Sequence, residues 1–177
     1  MAERIPVVIL TGFLGSGKTT LLSRAMREAG AGAEGTLVLV NEIGEVGLDH
    51  DLLWQGGEVP LVLENGCVCC TVGDDLLTTL EDLFWARLHR RIPRFGRIVI
   101  ETTGLADPRP IVAALRDRPL VAERYRYAGT VTAVDAGGAA LGEEEALAQV
   151  AVADRIVLTK TDLVPAETLR ATAERVA

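Results

Sequence analysis

The sequence predicts an α/β fold: a three-layer sandwich with a mostly parallel central sheet flanked by helices. Three observations predict it. Short apolar runs recur along the chain, as expected of strands buried on both faces. Segments with helical spacing alternate with those runs. A glycine-rich turn joins the first run to the first helix-like segment. Alternation of this kind specifies a sheet with helices packed on it.

In chain order, residues 5–10 are the first buried strand. Residues 18–29 read as a helix with Leu21, Leu22, Ala25 and Met26 on one face. Residues 36–40 are a second strand-like run. Residues 41–53 lack clean periodicity and carry Gly44, Gly47 and several acids, so they read as a functional loop. Residues 60–63 are a short strand with the cysteines at its exit. Asp74 is placed to cap the next helix, whose apolar face is Leu76, Leu77, Leu80, Leu83, Phe84 and Leu88. Residues 97–101 are another buried strand, leading into Thr102-Thr103-Gly104. Pro108 and Pro110 suit the start of a helix running through residues 111–116. Residues 130–134 and 155–158 complete the strands, residues 143–151 form the helix between them, and a last helix starts at Glu167.

A length of 177 residues, 49% hydrophobic and 24% charged, fits one soluble globular domain with a substantial core. The net charge of -7 argues against nucleic acid as a partner, because phosphate backbones are bound by basic surfaces. No stretch approaches the ~20 apolar residues of a membrane helix, and the N-terminal run leads straight into the glycine loop. Clustered cysteines without a signal-like N-terminus point to a reducing compartment, the cytoplasm.

Gly12-x4-Gly17-Lys18-Thr19 lies between a predicted strand and a predicted helix, the context a phosphate-binding loop requires. Glycines let backbone N–H groups curl around phosphate oxygens, and the helix N-terminus adds a favourable partial charge. The expected phosphate contacts are Gly12, Gly15, Ser16, Gly17, Lys18, Thr19 and Thr20. Lys18 would reach the β- and γ-phosphates, and the Thr19 hydroxyl would ligate Mg²⁺. The sandwich is thus expected to be of the P-loop NTPase kind.

Thr159-Lys160-Thr161-Asp162 lies just past the last strand, where such a sheet places ligands. Asp162 can accept two hydrogen bonds from a guanine edge while the Lys160 stem packs over the base. Adenine would leave that carboxylate unpaired, at a cost of roughly 1–3 kcal/mol. The nucleotide expected is therefore GTP or GDP. Thr159 stands where the usual guanine motif has Asn.

Glu101, at the tip of its strand, can hold Mg²⁺ directly or through water, and the Gly104 amide is placed to sense the γ-phosphate. No catalytic glutamine or arginine finger is identifiable. Hydrolysis is expected to be slow, roughly 10⁻⁴ to 10⁻² per second.

All three cysteines fall within Cys67-Val68-Cys69-Cys70. Three thiolates suit Zn²⁺, Cu⁺ or Co²⁺ rather than Mg²⁺, and leave one tetrahedral position for another ligand. Two sulfurs with a carboxylate from Glu42, Glu45 or Glu64 is an alternative set. A buried apolar cluster and a redox pair are the non-metal readings, although the redox spacing CxxC is absent.

The segments Ile9–Thr20, Asn41–Gly47, Glu64–Cys70, Glu101–Pro108 and Thr159–Asp162 together resemble the CobW-type GTPases. That family sits within a wider group of metallochaperone GTPases that includes the urease and hydrogenase nickel-insertion proteins. The resemblance implies a GTP-hydrolysing metal chaperone or insertase acting on zinc or cobalt, with an unidentified client metalloprotein. It implies that residues 41–49 act as the first switch segment, that Cys67, Cys69 and Cys70 ligate metal, and that Glu45 is an additional candidate ligand. Some members carry an acid just before the switch Asn, where this chain has Val40. Residues 1–177 are expected to be one P-loop GTPase domain, truncated at its C-terminus and lacking the family's C-terminal domain. Homodimerisation is left open. The second functional reading is a non-enzymatic metal-buffering or partner-docking module with GTP as a structural ligand.

Overall fold

The computed structural model describes residues 4–30, 35–40, 61–62 and 74–177. Among them, six strands form one sheet: β1 (Ile5–Thr11), β2 (Thr36–Val40), β3 (Leu61–Val62), β4 (Arg97–Glu101), β5 (Tyr125–Asp135) and β6 (Arg155–Thr159), in the order β3-β2-β4-β1-β5-β6. Every pairing is parallel, so the predicted mostly parallel sheet is parallel throughout the described residues. Parallel strands need crossovers, and helices supply them. These are α1 (Lys18–Ala29), α2 (Asp74–Leu88), α3 (Arg109–Asp117), the short α4 (Pro119–Ala122), α5 (Glu144–Ala151) and α6 (Ala166–Val176).

Register aligns the strand ends. Leu10 of β1 and Val40 of β2 both pair with Glu101 of β4, Val40 pairs with Val62 of β3, Thr11 pairs with Thr132, and Asp135 pairs with Thr159. The chain leaves β1 towards β2 on one side, while β5 leads to β6 on the other. That reversal opens a crevice at the carboxyl edge beside β1, where ligands of open parallel sheets bind.

The core explains the strand assignments. Val7, Ile9, Ile98 and Ile100 are fully buried, and α2 sets Leu76, Leu77, Leu80 and Leu83 into the same cluster with Ile111, Leu115 and Val121. The Tyr125 hydroxyl donates to the Leu80 carbonyl at 2.6 Å, tying β5 to α2, and burial pushes its phenol pKa well up.

Several boundaries differ from expectation. α2 is described from Asp74 onward, and the expected capping role of the Asp74 side chain lies outside what is described. Leu88, expected on the apolar face, is exposed, as is Ala25 of α1. β5 begins five residues before the expected Thr130. Its first half, Tyr-Arg-Tyr-Ala-Gly, conceals an alternation in which Tyr125 is buried and Arg126 exposed, and the pairing with β1 shifts register between Val7 and Val8. The α4 turn and a 3₁₀ turn at Ala139–Gly142 also had no clear sequence signal.

Candidate functional site

The turn between β1 and α1 is shaped by glycines at positions no other residue fills cheaply. Gly12 has φ 145°, and a Cβ there would lie 2.3 Å from the Ala133 carbonyl oxygen. Gly15 and Gly17 take φ 70° and 85°. Gly17 is the N-cap of α1, with no side-chain cap and no acid in the first turn, so the opening of the helix suits an anion. Ser16 N–H donates to the Phe13 carbonyl and closes the loop. Lys18, largely buried, donates from Nζ to the carbonyls of Gly12 at 2.9 Å and Phe13 at 3.2 Å. Its cation therefore sits over the loop it is expected to serve.

Thr19 follows on α1, with Thr20 exposed beside it. The Thr19 hydroxyl donates to Glu101 Oε1 at 2.6 Å. Glu101 is buried at the end of β4, and Thr102 steadies the neighbouring strand tip by donating from Oγ1 to Thr11 Oγ1 at 2.8 Å. An alcohol and a carboxylate converging beside a phosphate loop form an oxygen donor set, which suits Mg²⁺ and not a soft ion. Gly104 packs against the loop so closely that a Cβ would lie 2.5 Å from both Leu14 N and Cα.

The third component comes from β6. Thr159 Oγ1 donates to the Ser16 carbonyl at 2.6 Å and lies 3.3 Å from the Val134 carbonyl. The hydroxyl standing where the guanine motif usually has Asn thus ties the turn after β6 to the glycine turn after β1. Lys160 adopts φ 54° and pairs with Asp135 at 2.7 Å, while Asp135 Oδ1 accepts the Gly137 N–H at 2.8 Å. The hydrogen bond from Lys160, aided by the Gly137 amide, holds the Asp135 carboxyl below its ordinary range. Asp162 is exposed in the 3₁₀ turn Thr161–Leu163. A cavity of about 380 Å³ lies between the phosphate loop, the end of β5 and α5, with Lys160 in its lining.

The fold, loop and acid can be compared with known proteins. A family model for the CobW/HypB/UreG nucleotide-binding domain matches residues 6–177. The chain belongs to the CobW/HypB/UreG family. The zinc chaperone YjiA of Escherichia coli (strain K12) is 40% identical over 162 residues, covering 90% of this chain and 50% of that protein. The zinc chaperone CobW of Sinorhizobium sp is 34% identical over 204 residues, covering 98% of this chain and 55% of that protein. A crystal structure of Zn(II)-bound YjiA GTPase from E. coli matches with a TM-score of 0.69 at 32% identity, covering 99% of this chain and 54% of that one. The chain spans about half the length of the curated relatives it matches.

In this CobW/HypB/UreG domain the structure brings the phosphate-loop residues, Glu101, Gly104 and Thr159–Asp162 to one sheet edge. Glu45, Cys67, Cys69, Cys70, Glu42, Glu64 and the switch segment 41–49 lie outside the described residues. Among the described residues, no group of three His, Cys, Asp or Glu gathers in a way that could hold a metal ion. No helix there is long and apolar enough to cross a membrane.

Sequence reasoning missed Gln149. This fully buried side chain on α5 donates from Nε2 to the carbonyls of Gly104 at 3.0 Å and Ala106 at 3.1 Å. The available signal was a lone amide three residues after Ala146, the other buried residue of that short helix.

Proposed function

We propose that this domain binds GTP with Mg²⁺, hydrolyses it slowly, and uses the nucleotide state to control transfer of zinc or a similar ion to a client metalloprotein. The contact between Thr19 and Glu101 carries the nucleotide half of the reading, because it joins the phosphate loop to an acid on the neighbouring strand. The site fits the group. The glycine turn leaves room for backbone to approach phosphates, Lys18 supplies the cation, and Thr19 with Glu101 supplies hard oxygen donors for Mg²⁺. Bound there, the ion would neutralise charge on the β- and γ-oxygens. Lys160 and Asp162 are the base-reading residues on this account, with Thr159 holding their loop against Ser16.

The metal half rests on sequence and on register. Val40 and Val62 end β2 and β3 level with Glu101, and neighbouring strands lie about 4.8 Å apart. β2 and β3 therefore both end at the edge that carries Glu101, Val40 directly before the switch segment in sequence and Val62 five residues before Cys67. Zinc is the cargo favoured here, by the thiolate donors of Cys67, Cys69 and Cys70 and by the zinc chaperones among the relatives. Glu45 is the proposed carboxylate partner. Loss of the γ-phosphate would shift the switch segment and weaken the site.

The test is a zinc titration of the reduced protein with GDP and with a non-hydrolysable GTP analogue, Cys69→Ser alongside. The expected result is a zinc affinity that differs between nucleotide states and falls in the variant. Equal affinity in both states removes the coupling, since a ligand shifts only an equilibrium to which it binds differentially. Turnover no higher than that of Lys18→Ala would favour the non-enzymatic module.

A further inference from the structure

The loop after the β4 acid is clamped from two sides. On one side, Gly104 lies against the backbone of Leu14 in the phosphate loop, with no space for a Cβ. On the other, Gln149 reaches from α5 and donates to two carbonyls of the same loop, Gly104 at 3.0 Å and Ala106 at 3.1 Å. Gln149 is itself held, because its backbone carbonyl accepts the Thr132 hydroxyl at 2.8 Å. Thr132 lies on β5, in register with Thr11 at the end of β1. The loop's own backbone contributes the Ala106 N–H to the Thr103 carbonyl at 3.2 Å. The amide is fully buried, and a glutamine at a core position on a helix needs partners that repay its desolvation. Both N–H···O bonds go to one segment three residues long.

We propose that Gln149 is a positioning residue for triphosphate recognition: it fixes the Gly104 segment against the phosphate loop, so that a γ-phosphate meets a preset backbone. The proposal rests on the reading of this site as a guanine-nucleotide site and adds a residue to it. On that reading the phosphate loop would contact GDP and GTP alike, whereas only the third phosphate would reach the Gly104 segment. Gln149 therefore acts on the difference between the two nucleotides. Without the clamp, binding GTP must order the segment at the moment of binding, and the apparent affinity falls by the fraction of molecules in which it is already in place.

The experiment compares affinities for fluorescent GDP and a fluorescent non-hydrolysable GTP analogue, with Mg²⁺ present. The proteins are wild type, Gln149→Met and Gln149→Asn. Methionine keeps the length and loses both donors. Asparagine keeps the amide but is one methylene too short to reach. The expected result is GDP affinity within about twofold of wild type and GTP-analogue affinity about tenfold weaker in both variants, within the range usual for coupled sites.

A parallel fall in both affinities would assign Gln149 a purely structural role and overturn the proposal. An unchanged ratio with wild-type affinities would overturn it too. Failure of both variants to fold, judged by circular dichroism, would likewise place Gln149 in the scaffold. A wild-type protein that binds neither nucleotide would instead remove the underlying reading of the site.

Discussion

The Thr19 hydroxyl donates to Glu101 Oε1 at 2.6 Å, across 82 positions of sequence. It does so because Leu10, at the end of β1, pairs with Glu101, at the end of β4. One register thus sets the acid beside the first turn of α1. Glu101→Gln keeps the shape and removes the charge. The Mg²⁺ concentration giving half-maximal GTP turnover should rise about tenfold or more, equivalent to ~1.4 kcal/mol of ion affinity. Binding of nucleotide without Mg²⁺ should change little. A Glu101→Gln protein with the wild-type Mg²⁺ requirement would show that the acid has no part in holding the ion.

Gly104 and Gly15 separate steric from conformational demands on the same loop. A Cβ at Gly104 meets backbone atoms of Leu14 at 2.5 Å, which cannot swing aside as a side chain can. Gly104→Ala should cost about 1–3 kcal/mol as overpacking. At about 2–4 °C per kcal/mol for a chain of this size, melting should fall visibly in a thermal scan. Gly15 has open space around its would-be Cβ but φ 70°, so Gly15→Ala should carry only the left-handed cost, roughly 1–2 kcal/mol. Gly142, with neither constraint, should accept alanine with almost no change. A Gly104→Ala protein as stable as Gly142→Ala would contradict the close packing of the loop on Leu14.

The parts of the molecule legible in sequence are those with local causes. The bounds of α1 follow from Gly17 at its start and Gly30 at its end, and β2 and β4 from uninterrupted β-branched and leucine runs. The first half of β5 was hidden because Arg126 and Gly129 break the apolar pattern, while the alternation that matters places Tyr125 on Leu80, 45 positions away. The phosphate loop and its acid were legible because motif and strand end coincide. Gln149 was not, because its partners at Gly104 and Ala106 are set by how α5 lies on the sheet, and no spacing rule encodes that. The pairing of Lys160 with Asp135 was equally invisible, because it depends on the register that sets Asp135 beside Thr159.

That pairing makes a pH prediction. Lys160, by its hydrogen bond, and then the Gly137 amide hold the Asp135 carboxyl below its ordinary value. A carboxylate with a depressed folded-state pKa contributes stability above the unfolded value, about 3.9, and loses it as pH falls through the folded value. The Lys160 loop should therefore hold its geometry at neutral pH and loosen below about pH 4. Asp135→Asn should remove this dependence, giving a shallower acid limb of stability than wild type in urea unfolding. The pair is partly exposed, so the effect should also shrink in high salt. Identical acid limbs in the two proteins would mean that the pairing contributes nothing to folding.

Thr159 offers a sharper test of how the base loop serves the phosphate loop. Its hydroxyl donates to the Ser16 carbonyl at 2.6 Å, and its side chain lies 3.6 Å from the position a Cβ would take on Gly17. Thr159→Val keeps the branched shape near Gly17 and removes the hydroxyl. One hydrogen bond of this kind is worth about 0.5–1.5 kcal/mol net, so stability should fall by that amount. The tether acts on Ser16, within the loop expected to grip every phosphate. Its loss should therefore weaken GDP and GTP-analogue binding in parallel, a few-fold each, and leave their ratio at the wild-type value. A Gln149 variant, by contrast, should change the ratio. Measuring both nucleotides on both variants with the same fluorescent probes separates a residue that holds the glycine turn from one that holds the Gly104 segment. If Thr159→Val bound both nucleotides as wild type does, the hydroxyl would be no more than a surface contact, and the base loop would be held by the backbone bond from the Ala136 N–H to the Thr159 carbonyl at 2.9 Å.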